Sequence, residues 1–222
     1  MNTYRLFKGC AVKVPKTHSA AYGAQRSTLL ARREGLLGVR NRISHRLFLP
    51  TILLPDFCGY PFVEIQEEAG RVLLPALQLA CSSGNLVIFR ELLEQMFAVE
   101  RNLWRNGLCL TDWAGCFGNF EAGRQGSIRL FDFGAITDDF GQARDFVQNE
   151  TAEKILACRA FLQQHAIGND ATIVYEELAH RHYDTKSFNV SWNGCSDRHD
   201  FTHFFGKPLS RHSLVSLRNI RW

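Results

Sequence analysis

The sequence predicts an α+β fold with a small strand-rich N-terminal part and a larger helical C-terminal part. Short runs of strand-forming residues occupy much of the first 66 residues, with one helical segment among them. Helical segments instead follow one another from residue 140 onward. Acidic residues interrupt the apolar pattern near Gln66–Gly70, which predicts a boundary there. The predicted division is 1–68, 69–183 and a C-terminal tail over 184–222.

The N-terminal part is predicted to contain four strands and one helix. The strands are expected at 3–7, 10–15, 47–54 and 61–66, with the first two joined at Gly9, and the helix at 27–43. Ser27 is the expected N-cap of this helix. Its apolar side repeats at seven-residue intervals, at Leu29, Leu36 and Ile43.

The C-terminal part is predicted to begin with a long helix that starts at the N-cap Asn85 and ends at Gly107. Its apolar stripe consists of Ile88, Phe89, Leu92, Leu93, Met96 and Phe97. The turn residues Gly123–Gly126, between two short apolar runs, predict a β-hairpin. Further helices are expected near 140–148, 151–165 and 171–181, and the tail from Asp184 onward is expected to be irregular.

Composition limits the class of protein. The 222 residues are 45% hydrophobic and include 17 Phe, so the chain can bury a core and is not intrinsically disordered as a whole. The net charge of +4 permits an anionic ligand such as a nucleotide but does not favour nucleic acid. The longest apolar runs, such as Leu47–Leu54, fall short of the ~20 residues of a membrane span.

The expected location is the cytoplasm, or a host cell if the chain comes from a pathogen. The first residues lack the apolar core of a signal peptide. The seven cysteines are odd in number and have no disulfide-framework spacing, which is typical of reduced thiols.

The segment Gly126–Gly134 carries the most specific pattern. A turn glycine, an apolar strand with one basic residue and then Asp132-Phe133-Gly134 follow one another. A carboxylate at this position suits a Mg²⁺ ion that neutralises phosphate charge, and an adjacent glycine allows a sharp turn. An ordinary strand that ends in an Asp/Gly turn is the alternative explanation of these residues.

This segment resembles the Asp-Phe-Gly region of the protein-kinase-like superfamily. The similarity continues upstream in the same order and covers roughly residues 3–135. The matching residues are Lys13 on a strand, Glu34 on the helix 21 residues later, Phe62–Glu67 at the hinge strand, Asp112 in the catalytic loop and Asn119 before the hairpin.

The resemblance implies a Mg·ATP site and a role for each matching residue. Asp112 would orient or deprotonate the acceptor hydroxyl, and Lys13, positioned by Glu34, would neutralise the α- and β-phosphates. Asp132 and Asn119 would be the Mg²⁺ ligands. The hinge strand, including Glu64 and Gln66, would bind the adenine edge through backbone groups.

Simpler roles exist for the same residues. Lys13 can be a solvated strand lysine, and Glu34 can pair with arginines of its own helix. Asp112 can cap a turn, and Asn119 alone has little diagnostic value. Their joint order and spacing favour the kinase-like fold.

The sequence departs from the family in several places. Only twelve residues precede Lys13, so this sequence is expected to lack the glycine-rich loop, either because its start is truncated or because the site is open above the phosphates. Leu110 stands where the family has a catalytic-loop histidine. The loop Trp113–Gly118 contains no Lys or Arg, and Asp112 and Asn119 are two residues farther apart than usual. No Ala-Pro-Glu motif follows Gly134. The chain is therefore most similar to small, divergent bacterial kinase-like proteins.

Three functions remain open within this resemblance: an active kinase with a protein acceptor, a pseudokinase that binds nucleotide or a partner, and a small-molecule kinase. A cationic small substrate would suit the acidic residues that follow Gly134, namely Asp138, Asp139, Asp145, Glu150 and Glu153. These residues are equally explained as surface charge and helix N-terminal charge.

The C-terminal tail suggests a further class, metal or nucleic-acid binding. Cys195, His199 and His203 are spaced by four residues, and His180 and His182 precede them. Structural zinc normally takes four ligands with closely spaced cysteine pairs, so scattered histidines are the favoured interpretation. The basic residues Lys207, Arg211, His212, Arg218 and Arg221 are expected to be solvated.

Overall fold

The residues that the computed structural model describes are 2–6, 10–14, 47–49, 51–57, 60–67, 70–111, 116–123, 127–131, 136–149 and 151–193. The chain divides into two compact units, Met1–Ala69 and Gly70–Trp222. Antiparallel strands form most of the described part of the first unit, and helices form most of the second. The predicted α+β class is therefore confirmed.

The N-terminal unit contains a four-stranded antiparallel sheet. Its strands are β1 (Asn2–Leu6), β2 (Cys10–Val14), β3 (Thr51–Phe57) and β4 (Tyr60–Glu67), in the spatial order β1-β2-β4-β3. The four predicted strands are confirmed, although β3 begins at Thr51 rather than at residue 47. The predicted helix over 27–43 lies outside the described residues.

Six helices form the described helical part of the C-terminal unit. They are α1 (Leu73–Ser82), α2 (Leu86–Arg105), α3 (Phe140–Asn149), α4 (Thr151–Gln164), α5 (Asn169–His182) and α6 (Thr185–Asn193). The longest is α2, and α1, α5 and α6 pack against it. Its buried stripe contains all six predicted apolar residues and extends to Leu103 and Trp104.

Both ends of α2 follow from local sequence. The side chain of Asn85 accepts a hydrogen bond from the backbone N–H of Ile88 at 3.1 Å, as an N-cap does. Gly107 has a φ of 67°, a left-handed conformation that glycine adopts without the steric cost that a side chain brings. The predicted bounds of this helix are confirmed.

Two short antiparallel ladders lie in the same unit. The predicted hairpin is confirmed as β6 (Phe120–Ala122) paired with β7 (Ile128–Leu130). The second ladder pairs β5 (Cys109–Leu110) with β8 (Ile136–Thr137). Helix α2 contacts β5 of one ladder and β7 of the other, so it supports both.

The helix α1 was not predicted. Its N-cap position, Val72, makes no side-chain capping hydrogen bond, and Pro75 stands in its first turn. Proline is tolerated there because the first helical N–H groups have no partner within the helix. Burial of Leu73, Ala76 and Leu77 against α2 stabilises this helix, which is a tertiary effect.

The expectation of an irregular tail from Asp184 onward is wrong for residues 185–193, which form α6. Asp184 accepts hydrogen bonds from the backbone N–H and the hydroxyl of Ser187, at 2.9 and 3.0 Å, and thereby caps the helix. Phe188 is fully buried, 5.2 Å from the ring of Trp104 in an edge-to-face contact. The burial of Phe188 and the cap from Asp184 thus stabilise a helix in a segment that was expected to be irregular.

No helix in the described ranges is both long enough and hydrophobic enough to cross a lipid bilayer.

The cap of α2 gives a stability prediction. Asn85→Ala should lower the free energy of unfolding by about 0.5–2 kcal/mol, because the N–H of Ile88 loses its acceptor. Each kcal/mol corresponds to about 2–4 °C in the melting temperature of a protein of this size. Asn85→Asp keeps an acceptor and should melt close to the wild type. Equal melting temperatures for the wild type and Asn85→Ala would show that the cap is not needed.

Candidate functional site

The structure describes four of the seven predicted site residues. Lys13, Glu64 and Gln66 lie in the sheet of the N-terminal unit, and Asn119 lies directly before β6 in the C-terminal unit. Glu34, Asp112 and Asp132 lie outside the described residues.

Four polar side chains lie on one face of the N-terminal sheet, which is called its polar face below. Lys13 of β2 is directly opposite Glu64 of β4, and Gln66 of β4 is directly opposite Thr51 of β3. Side chains directly opposite each other, and at alternate positions of one strand, share a face of the sheet. All four side chains therefore lie on the same face, next to one another.

This polar face is buried around β4. Glu64 and Gln66 are only 4% and 3% exposed, and Lys13 is half-buried. Acidic and amide side chains rarely occupy such positions without a partner or a function. The polar face is therefore part of the packed interior of this unit and is not a solvated surface.

Two consecutive hydrogen bonds hold the side chain of Gln66 in place. Its side-chain amide donates to the hydroxyl of Thr51 at 2.9 Å, and that hydroxyl donates to the carbonyl of Leu49 at 2.9 Å. Gln66 also has a partner strand on each side, opposite Ala11 of β2 and Thr51 of β3.

In the C-terminal unit, the two ladders frame the segments 111–119 and 131–135. Leu110 is paired with Ile136, and Phe120 with Leu130. The backbone N–H of Phe131 donates to the carbonyl of Asn119 at 2.9 Å. Because paired strands lie about 4.8 Å apart, the start of each segment lies beside the end of the other.

The end of the first framed segment is anchored in the core. Cys116–Gly118 form a single 3-10 turn, and the ring of Phe117 is 1% exposed. It stacks on Phe161 of α4 with centroids 6.1 Å apart and meets Tyr175 of α5 edge-on at 5.7 Å. Asn119 follows directly and is itself buried. A rigid base therefore holds the position predicted to bind metal.

Sequence reasoning missed an ion pair on this hairpin. Glu121 of β6 is directly opposite Arg129 of β7 and is 3% exposed. Its Oε2 lies 2.8 Å from Nη2 and 3.1 Å from Nε of Arg129. The predicted hairpin was the sequence signal that could have revealed this ion pair. Its two strands contain residues of opposite charge, Glu121 and Arg129, which can lie opposite each other.

A second missed feature is a buried polar network between α2 and the end of α5. Glu100 is 5% exposed and accepts hydrogen bonds from Nε2 of His182 and from the hydroxyl of Tyr183, both at 2.8 Å. Nδ1 of His182 lies 3.2 Å from Nη1 of Arg101. Arginine can only donate, so Nδ1 accepts and Nε2 carries the proton given to Glu100.

The network has a structural role. The ring of His182 stacks on Trp104 with centroids 4.5 Å apart and 13° between the planes. Burial lowers the pKa of His182, so the neutral imidazole is the native form. His182 is therefore a satisfied core histidine and not a metal ligand.

The metal hypothesis for the tail finds no support in the described residues. They contain no group of three or more His, Cys, Asp or Glu side chains arranged to hold an ion. Cys195, His199 and His203 lie outside these residues.

The cysteines whose side chains the structure describes are free thiols. They are Cys10, Cys81, Cys109 and Cys158. Burial raises the pKa of Cys109 to about 12, which keeps it protonated and unreactive near neutral pH.

Comparisons with models of protein families, with curated proteins and with solved structures found no match to this chain. The kinase-like resemblance therefore rests on the residues named above.

The buried histidine gives a pH prediction. Because its pKa is lowered on folding, the native state binds fewer protons than the unfolded state. The contribution to stability is complete above the unfolded pKa of about 6.5 and is lost as the pH falls below it. His182→Gln keeps a donor for Glu100 but cannot titrate, so its melting temperature should fall less between pH 7 and pH 5.5.

His180→Gln is the matched control, because His180 is exposed on the same helix. Its pH profile should follow that of the wild type. If His182→Gln loses stability over this pH range as steeply as the wild type does, the buried imidazole does not control the acid sensitivity.

Proposed function

We propose that this chain is an atypical kinase that transfers the γ-phosphate of ATP to a hydroxyl group, with a protein as the acceptor. The observation that carries the proposal is the pair of ladders around the segments 111–119 and 131–135. One segment contains Asp112 and ends at Asn119, and the other contains Asp132.

The way in which the two ladders hold these segments matters, because phosphoryl transfer needs several carboxylate and amide groups at one place. The ladders join Leu110 to Ile136 and Phe120 to Leu130. The segment with the candidate base and the segment with the candidate metal ligand thus start and end at neighbouring positions. Two segments held at both ends in this way would supply the positioning on which this chemistry depends.

The sheet of the N-terminal unit also supports the proposal. The resemblance requires the phosphate-binding lysine and the hinge strand to be close together, and Lys13 is directly opposite Glu64 of that strand.

The proposed roles follow from side-chain chemistry. Asp112 would orient or deprotonate the acceptor hydroxyl, and Lys13, paired with Glu34, would stabilise phosphate charge. Asp132 and Asn119 offer the oxygen ligands that Mg²⁺ prefers. Bound there, Mg²⁺ would neutralise charge on the phosphates.

A protein acceptor is favoured over a cationic small molecule by the acidic residues after Gly134. Asp139 accepts a hydrogen bond from the N–H of Gln142 at 2.8 Å and caps α3. Asp138 and Asp145 are exposed. Helix capping and surface exposure account for these charges without a substrate groove.

A pseudokinase is the second candidate, and Leu110 favours it. The family has a catalytic-loop histidine at this position, whereas Leu110 is an apolar strand residue that is 6% exposed. Binding without transfer would tolerate that replacement.

The first test is thermal stability with ATP, with and without Mg²⁺. A ligand at a hundred times its dissociation constant stabilises the folded state by about 2.7 kcal/mol. The wild type should show a Mg²⁺-dependent rise in melting temperature, and Asp132→Ala should lose it because a metal ligand is missing.

Asp145→Ala is the control for this test, since it removes an exposed carboxylate from α3. It should keep the full rise. No rise in the wild type at millimolar ATP would refute nucleotide binding and the kinase, and would leave the pseudokinase only as a partner-binding module.

The second test separates the kinase from the pseudokinase. Asp112→Asn should reduce γ-phosphate transfer to a mixed protein substrate by about 10²–10⁴-fold, because it removes the candidate base. ATP-dependent stabilisation should remain, since this residue is not assigned to nucleotide binding. Nucleotide binding without measurable transfer by the wild type would establish the pseudokinase instead.

A further inference from the structure

Glu121 joins three parts of the C-terminal unit. Its Oε2 binds the guanidinium of Arg129 through two nitrogen atoms, at 2.8 and 3.1 Å. Its Oε1 accepts the backbone N–H of Gly70 at 2.8 Å. A buried carboxylate with both oxygens occupied is held in one orientation.

The backbone around Glu121 reinforces this junction. Val72 forms a β-bridge with Glu121, and the N–H of Ala122 donates to the carbonyl of Arg71 at 2.7 Å. Residues 70–72, the first of the C-terminal unit, are thus attached to the hairpin as a third short strand would be.

The space at this junction is tight. A Cβ atom added to Gly70 would lie 3.0 Å from Oε1 of Glu121. The N–H of Gly70 can therefore approach the carboxylate closely only because this residue has no side chain.

The position of the pair in the hairpin suggests what it controls. Glu121 is two residues after Asn119, and Arg129 is two residues before Phe131, whose N–H binds the Asn119 carbonyl. The pair thus lies two residues along the hairpin from the place where both framed segments meet. A change in hairpin register or twist would move Asn119 and the segment with Asp132 relative to each other.

We propose that Glu121, acting with Arg129 and the N–H of Gly70, is a positioning residue for Mg²⁺-dependent nucleotide binding. This inference rests on the proposed function, in which Asn119 and Asp132 bind the metal. Glu121 touches neither nucleotide nor metal. It fixes the residues beside the metal ligands, as outer partners do in metal sites.

The test is a titration of ATP binding with and without Mg²⁺ in the full chain, for the wild type, Glu121→Gln and Arg129→Lys. Glu121→Gln keeps the size of the side chain and an acceptor for Gly70 but loses the ion pair. Its affinity for ATP with Mg²⁺ should fall about 10–100-fold, the range seen when outer partners of metal ligands are changed. Its affinity without Mg²⁺ should stay close to the wild-type value. Arg129→Lys keeps the charge but loses the two-nitrogen contact, and should give a smaller loss of the same kind.

Glu177→Gln is the matched control. Glu177 also accepts from two nitrogens of an arginine, Arg90, at 2.8 and 3.3 Å, but this pair joins α2 to α5 and is exposed. Its removal should leave ATP binding unchanged with and without Mg²⁺. A general loss of affinity in all three variants, independent of Mg²⁺, would show a merely structural role for Glu121.

The outcomes separate this inference from the proposed function. Absence of Mg²⁺-dependent binding in the wild type refutes the function, and the positioning role with it. Wild-type binding that Glu121→Gln and Arg129→Lys both retain leaves the function standing and refutes only the positioning role.

If Glu121→Gln does not fold, Arg129→Lys and amide hydrogen exchange decide the question. Faster exchange of the Phe131 amide in Arg129→Lys, with the amides of α2 still protected, is the expected result. Unchanged exchange at Phe131 together with unchanged Mg²⁺ dependence would refute the positioning role.

Discussion

The burial of one side of helix α2 is the constraint on which the C-terminal unit depends. The helix presents a continuous apolar stripe, and α1, α5, α6 and both ladders contact it. Hydrophobic burial has no preferred direction, so it explains why these elements collapse onto α2 but not their order around it. Directional contacts supply that order, among them the hydrogen bonds of Glu100 to His182 and Tyr183.

The candidate site in this unit is a consequence of the same support. Helix α2 contacts β5 and β7, one strand of each ladder, so the ends of the framed segments are fixed to the longest helix of the described residues. Loops carry chemistry best when a rigid scaffold holds their ends. Glu121 also holds the hairpin in place. Its buried carboxylate would carry an unpaired charge if it lost its partners, which is energetically costly.

The sequence predicted secondary structure correctly where the interactions that form it are between residues close in sequence. The Asn85 cap, the Gly107 end of α2 and the pairing of β6 with β7 each involve residues that are close in sequence. The α1 and α6 helices were missed for the opposite reason. Pro75 weakens the local signal of α1, and α6 is ordered by the distant ring of Trp104 against Phe188. The position of Asn119 beside the hairpin was foreseeable, whereas the junction of Glu121 with Gly70 joins residues 51 apart.

The sequence by itself determined the α+β class, the strands of the N-terminal sheet, the central helix and the hairpin, because periodicity, caps and turn residues encode them locally. It also indicated the candidate residues of the kinase-like site that we propose. Only the tertiary structure decided that Lys13, Glu64, Gln66 and Thr51 share a buried face, and that two ladders frame the candidate loops. Strand order and register are set by contacts between distant residues, and no short stretch of sequence contains both partners.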